Sequence, residues 1–474
     1  MSENEFNESL NNDLVALIER FEQALARGRS MPIDEDGLED IINHYLNRGQ
    51  VDKAMRAADV GVETFRFSGH FHIKKAEVLM EMVKLEEAMH WLEQAELFLP
   101  GDLDIVLNKA DILLYTNRHH EALALLDDAL ETATDTEDII EIRFEMADIY
   151  EDLDLYMEAI DCLEIVLTLA PRNEETLQRL WFAAELTEAF ERSITIHERL
   201  LDDDPYNVQG WFNLAHAYKG LGLTEKAREM FDFALAVQDD HVASLMDCGF
   251  MLHQDGRYEA AIDYLNEVVA LGEETREALL CLGHCYAEIG QPARARRQFR
   301  KVIAIDPHHA AAFYEMGRTY FMGDEHINLN KALPSLERAV RLAPEHPDYR
   351  LGLATAYRVL GRPAEALPLL VELVDDRLAD ERILLELGRT YLDLNDPPAA
   401  YAVLRDHLRD DSSALYVYGT TALAILAGRS GEARTLLAHA VGRYPEQAGL
   451  LFEQLPELKD DPTWTDLIAR LLDE

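Results

Sequence analysis

Along most of its length the chain returns to one residue pattern every 34 residues. QGWFNLAHAYKGLGLTEKAREMFDFAL begins at residue 209, EALLCLGHCYAEIGQPARARRQFRKVI at 277 and AAFYEMGRTYFMGD at 311. Each places a Leu or Met directly before a small residue, with a Tyr three positions on, as in Leu214-Ala215 with Tyr218 and Leu282-Gly283 with Tyr286. Apolar residues spaced three and four apart indicate two short amphipathic helices, and Gly or Asn between them supplies the stop. So small a unit buries its apolar face only against its neighbours, so an all-α stack is expected, its stability roughly a sum of nearest-neighbour terms.

In register, the small position of the first helix is filled by Ala110, Ala147, Ala215, Gly249, Gly283, Gly317, Ala354 and Gly388. The second helix carries Ala54, Ala88, Ala122, Ala159, Ala227, Ala261, Ala295, Ala332, Ala366, Ala400 and Ala433. Such residues let the two helices of a hairpin meet with little void. Pro100, Pro171, Pro205, Pro307, Pro344 and Pro445 punctuate the repeat ends. Insertions of three residues fall near 137–139 and within 323–331, and the fifth unit departs most, with Trp181 at the small position and Ser193 in place of the alanine.

This pattern resembles the tetratricopeptide repeat over nearly the whole chain. The resemblance implies a right-handed α-solenoid of about twelve helix-turn-helix repeats with capping helices. Residues 1–34 are read as an N-terminal capping helix and polar loop, 35–447 as the repeat array and 448–474 as a C-terminal capping helix. Phe6, Leu10, Leu14, Leu17, Ile18, Phe21 and Leu25 stand at helical spacing in the first cap. The Thr463-x-x-Asp466 arrangement suits the start of the last helix. No linker long enough to separate domains is evident.

Charge narrows the classes of partner. With 44 basic and 90 acidic residues the net charge is -46. The excess is concentrated early: 21 basic against 60 acidic residues through position 275, and 23 against 30 after it. Such a field repels nucleic-acid phosphates and anionic membranes and attracts basic proteins. No stretch reaches 18 consecutive apolar residues and the first residues are acidic and polar, so a cytoplasmic protein without membrane insertion is expected. The four cysteines are too few for a disulfide framework and are expected to be reduced thiols.

Catalytic signatures are absent: no G-x-x-x-x-G-K-S/T, no G-x-S-x-G and no H-E-x-x-H. No catalytic residue, cofactor or enzyme activity is assigned. The one metal-like cluster is Cys281, His284 and Cys285, followed by His308 and His309. Cys285 falls where Ala217 and Ala356 fall in other units, and the two later histidines occupy a turn after Pro307. With no second ligand pair to complete four donors, no metal site is assigned from sequence.

In tetratricopeptide proteins a stripe of each first helix lines a concave surface where peptides or partner helices dock. Here repeats one to four place Asp36, Glu39, Glu77, Glu81, Asp104, Asp111, Glu141, Asp148, Glu151 and Asp152 on that stripe, with Glu145 beside them and no Lys or Arg. The middle repeats place Phe212, His216, Lys219, Met246, Phe250, His253, Leu280, His284, Tyr314 and Phe321 there. Later repeats add Arg318, Arg358, Arg382 and Arg389, with Asp348 and Asp393 against them. Aromatic and Met side chains suit anchor pockets, and guanidinium groups suit carboxylates.

The order from acidic through aromatic to Arg-bearing points to a non-catalytic scaffold that binds a protein or peptide with a basic segment. Two alternatives stand beside it: an acidic chaperone or mimic shielding a nucleic-acid-binding protein, and a subunit that self-associates through its terminal helices. The carboxylate clamp of chaperone-binding relatives is matched only by Asn213 and is not expected. His216, His253 and His284 recur near one level of successive repeats, so mild acid is expected to charge them together.

Overall fold

The computed structural model describes residues 3–27, 31–322 and 329–473, with the side chains of 3–13, 329 and 473 outside that description. The described residues contain helices and turns but no strand. No helix among them is long and apolar enough to cross a membrane. The chain forms two compact units, Met1–Gln238 and Asp239–Glu474.

In the first unit the helix Glu3–Ala26 precedes six hairpins, whose first helices are Glu35–Asn47, Gly69–Glu81, Leu103–Tyr115, Thr136–Asp152, Glu174–Thr187 and Val208–Gly220. The second unit holds six more, with first helices Val242–Gln254, Arg276–Glu288, Ala310–Arg318, Pro347–Val359, Glu381–Asp393 and Ala414–Leu426. It ends in Gly449–Gln454 and Pro462–Asp473. Twelve hairpins among the described residues, stacked within each unit, make the α-solenoid expected from the 34-residue period.

The alanines of the second helices explain the stacking. All eleven, from Ala54 to Ala433, have no exposed surface, and Ser193, which takes the place of the alanine in the fifth hairpin, is buried as well. Opposite them, the small residues of the first helices accept a large side chain from their hairpin partner. A Cβ on Gly249 would stand 2.6 Å from Leu265 Cγ, and one on Gly388 2.9 Å from Leu404 Cδ1. Between the two helices the backbone passes through the left-handed region, where glycine costs least. Gly256 and Gly290 both take φ +72° there, whereas Val83 and Asn117 take φ 57° with side chains.

The insertion near 137–139 is absorbed as extra helix, since Thr136–Asp152 has 17 residues where most first helices have 13. Most of the insertion within 323–331 lies outside the described residues. In the fifth hairpin, where Trp181 and Ser193 stand at the small positions, Glu174–Thr187 packs more on Val208–Gly220 than on its own partner, Phe190–Asp203.

At the front, Ile18 and Phe21 bury against Leu38, Ile41, Ile42 and Tyr45, with Leu14 and Leu17 alongside. Leu25 stays 38% exposed, and the side chains of Phe6 and Leu10 lie outside the described residues. Trp464 and Ile468 close the other end on Leu437, Val441 and Leu451. That last helix does not start on the Thr463–Asp466 pair. It starts at Pro462, whose missing N–H belongs at this position, and the Asp461 carboxylate accepts from the Thr463 amide at 2.8 Å.

Candidate functional site

Within each unit, most neighbouring first helices touch directly, as Gly69–Glu81 does Leu103–Tyr115 and Val242–Gln254 does Arg276–Glu288. Second helices pack on the helices before and after them in the chain. The first-helix side is therefore the closely spaced side of each stack, and its residues form the candidate surface.

In the first unit that surface is acidic, but it is not without cations. Lys74 pairs with Glu77 at 3.0 Å and Glu39 at 3.5 Å. Arg179, from the fifth hairpin, reaches back to Asp148 at 2.6 Å, Glu151 at 3.0 Å and Glu175 at 3.6 Å. The stripe positions carry no Lys or Arg; their neighbours do. Asp36, Glu81, Asp104, Glu141 and Asp152 remain exposed. Deeper in, Glu145 and Asp111 hydrogen-bond to each other. Burial first, then the Asp111 and Asp148 charges, push Glu145 up to about 7, and Asp111 is raised mainly by burial. One proton shared by two carboxylates is the arrangement such crowding favours.

Phe212 and His216 are buried, at 6% and 9% exposure, which corrects their assignment as open anchors. Trp181 lies edge-on to both, with ring centres 6.1 and 5.2 Å away, and Phe231 lies 5.8 and 5.5 Å from them. Four aromatic rings at the fifth and sixth hairpins thus form packed core. Lys219 keeps an exposed position at the end of its helix. Asn213 is buried as well: its Nδ2 donates to the Leu177 carbonyl at 2.7 Å and to His197 Nε2 at 3.0 Å. It braces the backbone and has no free amide for a ligand carboxylate.

In the second unit the expected anchors are better placed. Met246, Phe250, His253, Leu280, His284, Tyr314 and Phe321 are all partly exposed. Tyr314 packs at a tilt of 34° against Tyr349 with ring centres 4.7 Å apart, and a Cβ on Gly352 would meet it at 2.7 Å. His284 lies 6.0 Å from His253 and 5.7 Å from Phe299, ring centre to ring centre. Burial holds the His284 imidazole below its usual range, so the joint charging of three histidines in mild acid meets opposition in this fold.

The four arginines are already partnered. Arg358 donates to Glu386 at 2.7 Å and to Asp393 at 3.2 Å, and Arg382 bridges Asp348 and Asp380 at 3.0 and 2.7 Å. Arg389 also reaches Glu386, at 3.5 Å, and Arg318 pairs with Glu315 at 3.0 Å while lying 6.0 Å over Tyr314. Glu386, only 5% exposed, was missed from sequence, where it reads as one more helix acid. A ligand carboxylate would have to compete with these internal acids.

Cys281 and Cys285 face each other through a thiol hydrogen bond, which raises Cys281 and lowers Cys285. His308 and His309 stand apart from them in capping roles. His309 Nδ1 accepts from the Ala312 amide at 3.1 Å, and the His308 amide donates to Asp306 at 2.9 Å.

Residues 190–274, 252–314 with 328–383, and 382–406 match models described as tetratricopeptide repeat. The chain is 24% identical over 151 residues to the RNA polymerase-associated protein CTR9 of Caenorhabditis elegans, 32% of this chain and 13% of that protein. It is 28% identical over 136 residues to protein O-mannosyl-transferase TMTC1 of Homo sapiens, 28% of this chain and 15% of that one. With lipopolysaccharide assembly protein B of Escherichia coli (strain K12) it shares 25% over 206 residues, 41% of this chain and 52% of that protein. The chain thus spans at most about half the length of these relatives.

Proposed function

The chain belongs to the tetratricopeptide repeat proteins, and on that footing we propose that it is a non-catalytic scaffold whose first-helix surfaces bind a partner protein or peptide. The observation that carries this reading is the partly exposed apolar and aromatic set Met246, Phe250, Leu280 and Tyr314 on first helices of one unit, with Phe321 in the bend after Ala310–Arg318. Isolated apolar side chains on a surface need no explanation; several on one face of consecutive repeats suit an anchor for another chain.

The acidic stripe of the other unit supports a basic segment in the partner. Lys74 and Arg179 neutralise part of it, so the attraction rests on Glu81, Asp104, Glu141 and Asp152 more than on Glu77 or Asp148. The match to the transferase TMTC1 covers 15% of that protein and brings no catalytic assignment here.

The test is a photo-reactive residue placed at Phe250 and, separately, at Arg300 on the outward side of a second helix, with adducts identified by mass spectrometry. A partner captured at Phe250 and not at Arg300 is expected; equal labelling overturns the assignment. For the captured partner, neutralising Glu81, Asp104, Glu141 and Asp152 should weaken binding and flatten its salt dependence. Binding that ignores both changes would remove the electrostatic half.

A further inference from the structure

His253, Cys281 and Cys285 come from the successive first helices Val242–Gln254 and Arg276–Glu288, and they bring one imidazole nitrogen and two sulfurs within 4.8 Å of one another. We propose that these three side chains bind one zinc ion. The cysteines are one helical turn apart, so both sulfurs face one point, and His253 approaches that point from the preceding repeat. Thiolates with an imidazole suit zinc, and they do not suit the oxygen-seeking calcium or magnesium. Zn–S bonds near 2.3 Å put two tetrahedral sulfurs about 3.8 Å apart, so closing the sulfur pair takes no more than about 1 Å of side-chain movement.

Cys285 is buried and Cys281 and His253 partly so, which limits competition from water. Both thiol protons pass to solvent as the sulfurs bind. Three protein donors leave a fourth position for water or for a side chain of a docked partner, the make-up of an open zinc site. His284 stands beside the trio with a buried Nε2 that has no hydrogen-bond partner among the described residues. The ion would tie the seventh and eighth hairpins together on the same side as the apolar anchors. This inference stands independently of the partner-binding proposal.

The experiment uses the full chain, reduced with a phosphine and stripped of metal, with cobalt(II) as the probe and zinc as competitor. One equivalent of cobalt should produce thiolate-to-cobalt charge-transfer absorption, and zinc should abolish it. Cys285→Ala is the primary variant, because Ala217 and Ala356 occupy its place in other repeats and the fold accommodates them. It should lose the band and weaken zinc by more than the roughly 100-fold that loss of an outer-shell partner can cost. His253→Gln should keep the band and weaken zinc at least about 10-fold. Circular dichroism of the metal-free variants should match the parent. Absence of the band in the parent, a band and affinity unchanged in Cys285→Ala, or full affinity in His253→Gln would each overturn the site.

Discussion

The ring of Phe299 lies so close over Gly283 that a Cβ on the glycine would meet its Cε1 at 2.3 Å. Both residues belong to the eighth hairpin, and the ring is fully buried. Gly283→Ala should therefore lower stability by about 1–2 kcal/mol, the overpacking cost exceeding the gain in helix propensity. Adding Phe299→Leu should recover part of that loss. Urea denaturation of the single and double variants checks it, and additive losses would show that the two sites do not share their space.

Val83 occupies the left-handed turn position at φ 57°, where six other hairpins use glycine at φ 64° to 73°. Its side chain is 71% exposed, so little packing would be lost with it. Val83→Gly should raise stability by about 1 kcal/mol, because a β-branched residue strains this conformation. An unchanged or lower denaturation midpoint would count against that account.

Glu145 binds its proton more tightly folded than unfolded, since burial and the Asp111 and Asp148 charges lift it from 4.5 to about 7. The folded state therefore takes up protons in that window, and stability falls as pH rises through it. Arg179, which faces the same cluster, offsets part of the effect. After discounting for solvent screening the loss is on the order of 1 kcal/mol. Glu145→Gln should flatten this fall, read as denaturation midpoints at pH 5 and 7.5.

His197 has the opposite sign. It is fully buried, its Nδ1 donates to the Ser193 carbonyl at 2.7 Å, and Nε2 accepts from Asn213. Burial pushes it down to about 4, so the unfolded chain binds the extra proton between there and about 6.5. The stability held by the neutral ring is present above about 6.5 and is lost as pH falls through that range, on the order of 3 kcal/mol in all. His197→Gln should be less stable than the parent at pH 7.5 but lose less on going to pH 5. Parallel losses in both proteins would refute this.

The Ser193 and Trp181 departures of the fifth repeat make sense together only in three dimensions. Trp181 packs edge-on against Phe212 and His216 of the next hairpin, and the Ser193 hydroxyl lies 3.3 Å from Nδ1 of His197, whose Nε2 meets Asn213 of that same hairpin, contacts that a sequence register records merely as two exceptions.

From sequence alone came the hairpins, their number, the alanines that bury and the Gly or Asn stops between many of the paired helices. These features depend on residues a turn apart or on one repeated nearest-neighbour packing, so the period displays them directly. Tertiary structure alone decided which side chains meet across repeats: Arg179 with Asp148, Arg358 with Glu386, Phe212 with Trp181, and His253 with Cys281 and Cys285. Those meetings join residues 28 or more positions apart, and the rotamers of long side chains select among several partners at similar reach. A stripe read from one helix at a time shows its own charges, whereas Arg179 and Arg358 reach acids of a neighbouring first helix and His253 meets the two cysteines from the preceding one.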